Sequence, residues 1–130
     1  ISGLSLGSTP AHLARATFEA IAHQVADVFE AMQSDVGQKL DGIVADGGAS
    51  ANGFLMQLQA DLLGRPVTRG GLAEIGAFGV ARMAFEALGA PMDMAEPHAS
   101  LFTPSLSDEA RHAARQHWHT AVAQTRYRPA

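Results

Sequence analysis

The residues best placed to do chemistry are Ala45-Asp46-Gly47-Gly48-Ala49-Ser50-Ala51-Asn52, where a short apolar run meets two glycines and then a helical pattern. A strand that feeds a glycine turn into a helix aims free backbone N–H groups, and the positive end of a helix dipole, past the strand's carboxyl edge. Anionic and nucleotide ligands favour such places. Glycine lets a phosphate or a flat base reach the backbone with no Cβ in the way, and Asn52 offers an amide to a base or a ribose. The run lacks the glycine spacing of the dinucleotide fingerprint, and it lacks the Lys-Ser/Thr pair that follows a phosphate loop. Two glycines between strand and helix also have a purely steric reading, and at this level both readings stand.

Other groups read as structural. His12, His23, His98, His112, His117 and His119 could suggest a metal, but the 112, 117, 119 spacing does not put three imidazoles on one helix face, and no carboxylate is expected to complete a site. They are read as solvated or packing histidines. Asp46 is expected to cap the following helix or order the turn, and Glu74 to cap a later helix start, where the dipole favours a carboxylate. Trp118 is expected to be a core anchor of the last helix rather than a stacking platform, and Met32, Met56 and Met83 to fill core.

The elements that must position the glycine turn follow from periodicity and punctuation. Thr9-Pro10 predicts a helix start, Leu13 to about Met32 an apolar face, and Gly37 the stop, with Arg15, Glu19, His23, Asp27 and Glu30 on the opposite face. Leu40 to Gly48 reads as a buried strand ending in the turn. A second helix, capped by Ser50, carries Phe54, Leu55, Leu58, Ala60, Leu62 and Leu63 to Gly64. Arg65-Pro66-Val67-Thr68 reads as a short edge strand, because Pro66 has no N–H for a ladder. A helix from about Leu72 to Leu88 follows, in which Gly76 and Gly79 imply close approach of another stretch of backbone or of a ligand. Met92 to Pro104 reads as loop, and a last helix starts near Ser107 with Asp108 and Glu109 in its first turn and runs to about Thr125. The pattern is α/β. Two strands make a poor sheet, so further strands are expected upstream.

Composition limits the function classes. The chain has 130 residues, 47% hydrophobic and 17% charged, with a formal net charge of −4, which describes one ordinary globular domain. The nine basic residues form no stripe that could track a phosphate backbone, so no nucleic-acid partner is expected. There is no cysteine, which fits a reducing, cytoplasmic setting, and no apolar run approaches the roughly 20 residues of a membrane span. The start at Ile1, without a methionine, is expected to mark a fragment. A sheet lacking strands would expose its edges and invite pairing between copies as a homo-oligomer.

The run Asp46-Gly47-Gly48-Ala49-Ser50-Ala51-Asn52-Gly53-Phe54-Leu55-Met56-Gln57, followed by Gln59-Ala60-Asp61 and Gly64-Arg65-Pro66-Val67, resembles the C-terminal nucleotide-binding domain of the FGGY carbohydrate kinases, most closely the glycerol kinases. His12 to Glu19 resembles the long helix before that motif, Glu74 to Ala81 its alanine- and glycine-rich helix, and Phe102-x-Pro104 with Trp118-x-x-Ala121-Val122 its end. Gly53, Gly76 and Phe78 depart from the usual residues at packing or helix-start positions.

The resemblance implies part of an actin-like ATPase (ribonuclease H-like) domain, with an incomplete sheet and packed helices across residues 1–130. It implies ATP or ADP as ligand, Gly48 and Asn52 bordering the adenosine, and Gly47 and Ala49 shaping the turn. The activity implied is transfer of the ATP γ-phosphate to a polyol or sugar hydroxyl. The family's catalytic base, its sugar-binding and phosphate-gripping residues and its Mg²⁺ carboxylates would lie upstream of this chain. No catalytic residue or metal ligand is therefore assigned here, and the chain alone is expected to be inactive. The alternative is a truncated, non-catalytic nucleotide-binding or assembly module.

Overall fold

A computed structural model describes residues 1–72, 74–90 and 98–126. Helix α1 (Pro10–Val36) starts as its first residues dictate. The Thr9 hydroxyl accepts from the His12 N–H and the His12 ring accepts from the Thr9 N–H, a capping box in which histidine stands where glutamate is usual. Gly37 ends the helix in the left-handed conformation, as its position predicts. The chain then forms strand β1 (Ile43–Ala45), a 3₁₀ turn (Gly48–Ala51), helix α2 (Gly53–Leu63), strand β2 (Val67–Arg69), helix α3 (Ile75–Ala87), strand β3 (Ser100–Phe102) and helix α4 (Asp108–Arg126).

The sheet order is β1-β2-β3, with β1 and β2 parallel and β3 antiparallel to β2. Two expectations are corrected here. Part of the span read as loop, Ser100 to Phe102, is a strand, too short to show a period-2 pattern. That loop's residues 92–97 lie outside the described residues. Further, β2 is central rather than at the edge. Pro66 is tolerated because it precedes the ladder, where only its carbonyl is needed: the Ile43 N–H donates to it at 3.2 Å. The sheet therefore has three strands, and β1 keeps its other edge unpaired among the described residues.

The core is Ala22 and Ala26 of α1 against Leu55, Met56, Ala60 and Leu62 of α2 and Val67 of β2. Alanines four apart on α1 let the two helices approach, and Met56 fills the space between them as expected. The packed face of α1 is rotated from the predicted one. Phe18, Ala22, Ala26 and Phe29 turn inward, while Ile21, Val28 and Met32 are exposed. Met83 is 63% exposed and α3 buries no residue, so the core role expected of Met32 and Met83 is not met. A Cβ on Gly76 or Gly79 would meet nothing within 4 Å, so neither glycine serves a close approach among the described residues.

Candidate functional site

Parallel pairing brings the carboxyl ends of β1 and β2 to the same edge of the sheet, with Ala45 opposite Arg69. Both strands then run into glycine pairs, Gly47-Gly48 after β1 and Gly70-Gly71 after β2, and the Gly70 N–H donates to the Ala45 carbonyl at 3.1 Å. Ligands of open α/β sheets bind outside such carboxyl edges.

The first turn is built residue by residue. Gly47 has φ +78° and ψ 178°, a conformation essentially reserved for glycine. Ser50, 6% exposed, closes the turn: its N–H and its hydroxyl both donate to the Gly47 carbonyl, at 3.1 and 2.7 Å. Ser50 is thus not the cap of α2. The intervening 3₁₀ turn moves the helix start on, and Asn52 caps it, Oδ1 accepting from the N–H of Phe54 at 3.0 Å and of Leu55 at 3.2 Å. The cap uses the amide oxygen, and Nδ2 has no hydrogen-bond partner among the described residues. A Cβ on Gly48 would meet nothing within 4 Å. Packing among the described residues therefore does not require glycine there, and the space above it is open.

Arg69 ties this turn to the sheet. Its Nη1 donates to the carbonyls of Ser50 and Ala51, both at 3.4 Å, its Nη2 to Ser100 Oγ at 2.9 Å, and its guanidinium lies 5.5 Å from the centre of the Phe102 ring. The motifs of the sequence do not point to Arg69, Gly70 or Ser100. The signal that could have done so is the second glycine pair, directly after a short extended run. Asp46 is exposed and makes no side-chain hydrogen bond among the described residues, and Glu74, at the start of α3, makes no capping bond, so the capping expected of both carboxylates is absent.

A second cluster joins α1 to α4. The Arg115 side chain is 7% exposed and donates to Asp27 at 2.5 Å, to Glu30 at 3.1 and 3.2 Å and to the His23 carbonyl at 3.0 Å. The Trp118 indole N–H donates to Asp27 at 2.9 Å, and its ring stacks on His23 with centroids 5.1 Å apart. Burial, helped by the Arg115 cation, pushes His23 below its ordinary pKa. Burial alone would raise Asp27, but the Trp118 N–H and Arg115 outweigh it and hold that carboxyl low. Burial likewise opposes the charge of Arg115, but Glu30 and Asp27 prevail and raise its pKa.

Ligand atoms of Asp27, Glu30 and His119 lie within 4.8 Å of one another, a metal-like grouping assembled from two helices that spacing within α4 cannot show. Arg115 already supplies the cation there: it bonds Asp27 and Glu30 and sits 3.3 Å from His119 Nε2. The cluster is a structural joint, and Trp118 holds α4 there through its bond to Asp27 and its stack on His23 rather than through the hydrophobic core expected of it.

A family model described as the C-terminal domain of the FGGY family of carbohydrate kinases matches residues 1–88. Among curated proteins, the chain is 46% identical to a glycerol kinase of Dechloromonas aromatica over 92% of its own length and 25% of that protein. It is 42% identical to an apulose kinase of Pectobacterium atrosepticum over 99% of its length and 27% of that protein. Among solved structures, the glycerol kinase of Plasmodium falciparum with ADP superposes with a TM-score of 0.78 at 22% identity, covering 98% of this chain and 27% of that one. The chain therefore spans about a quarter of the relatives it matches.

Proposed function

The chain belongs to the FGGY family of carbohydrate kinases, and on that premise we propose that it supplies the nucleotide-side part of an ATP-dependent polyol or sugar kinase. The glycine turn after β1 is the contact. Gly48 and Asn52 border the adenosine of ATP or ADP, and Gly47 and Ala49 set the path of the turn. The observation that carries this reading is that, among the described residues, the space over Gly48 is open and the amide nitrogen of Asn52 has no partner, in a turn at the carboxyl edge of two parallel strands. A flat purine or a ribose needs a surface without a Cβ and a donor beside it, and the turn offers both.

In the whole kinase the γ-phosphate passes to a hydroxyl of the acceptor, and glycerol is the acceptor that the relatives favour. The base that takes the hydroxyl proton, the acceptor site and the carboxylates for Mg²⁺ belong to segments outside these 130 residues. Phosphoryl transfer depends on positioning and on charge stabilisation around the γ-phosphate. Within that scheme the residues of this chain bind and orient the nucleotide and perform no proton transfer.

Gly48→Ala tests the contact directly. The substitution places a methyl group in space that the fold leaves empty, so stability should change by no more than about 0.5 kcal/mol. The ADP dissociation constant, measured by titration followed through backbone amide shifts, should rise roughly tenfold. Unchanged ADP affinity would remove the turn from the nucleotide site and favour an assembly module.

A further inference from the structure

Arg69 has more partners than its place at the end of a three-residue strand requires. It leaves the central strand at the carboxyl edge, between Ala45 and Ser100 in the ladder. One arm of its guanidinium reaches the last two carbonyls of the 3₁₀ turn, Ser50 and Ala51, and the other reaches Ser100 Oγ, while its face rests near Phe102. Those carbonyls immediately precede Asn52, whose side chain begins α2. In a helical turn, carbonyls and N–H groups point in opposite directions along the axis. Fixing the carbonyl end on a cation of the sheet therefore also fixes the direction in which the Gly48 end of the turn faces. Turn, β2 and β3 are thereby joined through one side chain, although Ser50 and Ser100 lie 50 residues apart in sequence.

We propose that Arg69 is a positioning residue for the nucleotide turn: it holds the Ser50 and Ala51 carbonyls against the sheet so that Gly48 and Asn52 keep their places at the adenosine. This rests on the reading of that turn as the nucleotide contact. Arg69 need not touch the ligand. Ser100, on a strand reached only after the whole of α3, acts as the second tether of its guanidinium. A lysine at the same place keeps the charge but cannot span three acceptors in one plane.

The test compares wild type with Arg69→Met, Arg69→Lys and Ser100→Ala in the protein that carries this chain. Two quantities are measured: hydrogen exchange of the backbone amides of residues 48–54, and the dissociation constant for ADP. Arg69→Met should speed exchange at Ser50 and Asn52 and weaken ADP binding by about tenfold, the order expected for lost charge-assisted hydrogen bonds. The thermal midpoint should stay within a few degrees of wild type, since the core does not include Arg69. Arg69→Lys should recover part of the affinity, and Ser100→Ala should show a smaller loss of the same kind. Normal ADP binding and unaltered exchange in Arg69→Met would overturn the proposal. A loss of affinity that merely follows a lowered thermal midpoint, with no recovery in Arg69→Lys, would also overturn it. Failure of the wild-type protein to bind ADP overturns instead the nucleotide reading of the turn, and with it the role given to Arg69 there.

Discussion

Asn52 caps α2 through its amide oxygen, and the proposed function asks its amide nitrogen to bind the nucleotide as well. The two demands separate by substitution. Asn52→Ala should lose about 1 kcal/mol of stability in urea denaturation, the usual cost of an absent N-cap, together with ADP affinity. Asn52→Asp should keep the cap, since its carboxylate accepts the same two N–H groups, yet still lose affinity because it has no donor. A variant that retained both stability and affinity as Asp would show that the amide nitrogen is not used. The role of Asn52 as the cap is not legible in the sequence. Ser50 is an equally good capping residue by type, and only the 3₁₀ turn, which commits the Ser50 hydroxyl to Gly47, decides between them.

At the scale of elements, α4 docks on α1 through polar groups rather than an apolar stripe. Arg115 and Trp118 insert between His23, Asp27 and Glu30, the face of α1 that periodicity assigns to solvent. This gives the joint a pH dependence. His23 has its folded pKa below the ordinary 6.5, so on acidification the unfolded chain takes up a proton there before the folded one does. The stability is fully present above 6.5 and falls as pH drops through that value toward the lowered one. Asp27, also held below its ordinary 3.8, contributes stability that persists above that value and is lost only as pH falls through its lowered pKa. Thermal midpoints should therefore decline as pH falls from neutral through 6.5, and His23→Gln should flatten that slope whatever its effect on the midpoint at neutral pH. An unchanged slope would mean that another group carries the titration.

At the scale of the whole molecule, methionines that look alike in sequence have different fates. Met56 is 2% exposed between α1, α2 and the sheet, whereas Met83 on α3 is 63% exposed. Met56→Ala should cost about 2–5 kcal/mol, and Met83→Ala in this chain should stay within about 0.5 kcal/mol, as urea midpoints would show. A large loss at Met83 would mean that α3 packs in solution against a surface the structure leaves open. No described helix is long and apolar enough to cross a membrane. The sequence by itself determined the four helices, the glycine stops of α1 and α2, the glycine turn and the family, because caps, 3.6-residue periods and short motifs are local and need no partner to be read. Tertiary structure alone decided that β2 is central, that Ser100 to Phe102 is a strand, and that Arg69 and Arg115 are joints. Each depends on which groups meet across tens of residues: a three-residue strand exists only through its neighbours' hydrogen bonds, and an arginine's role is set by the carbonyls and carboxylates that the fold brings within its reach.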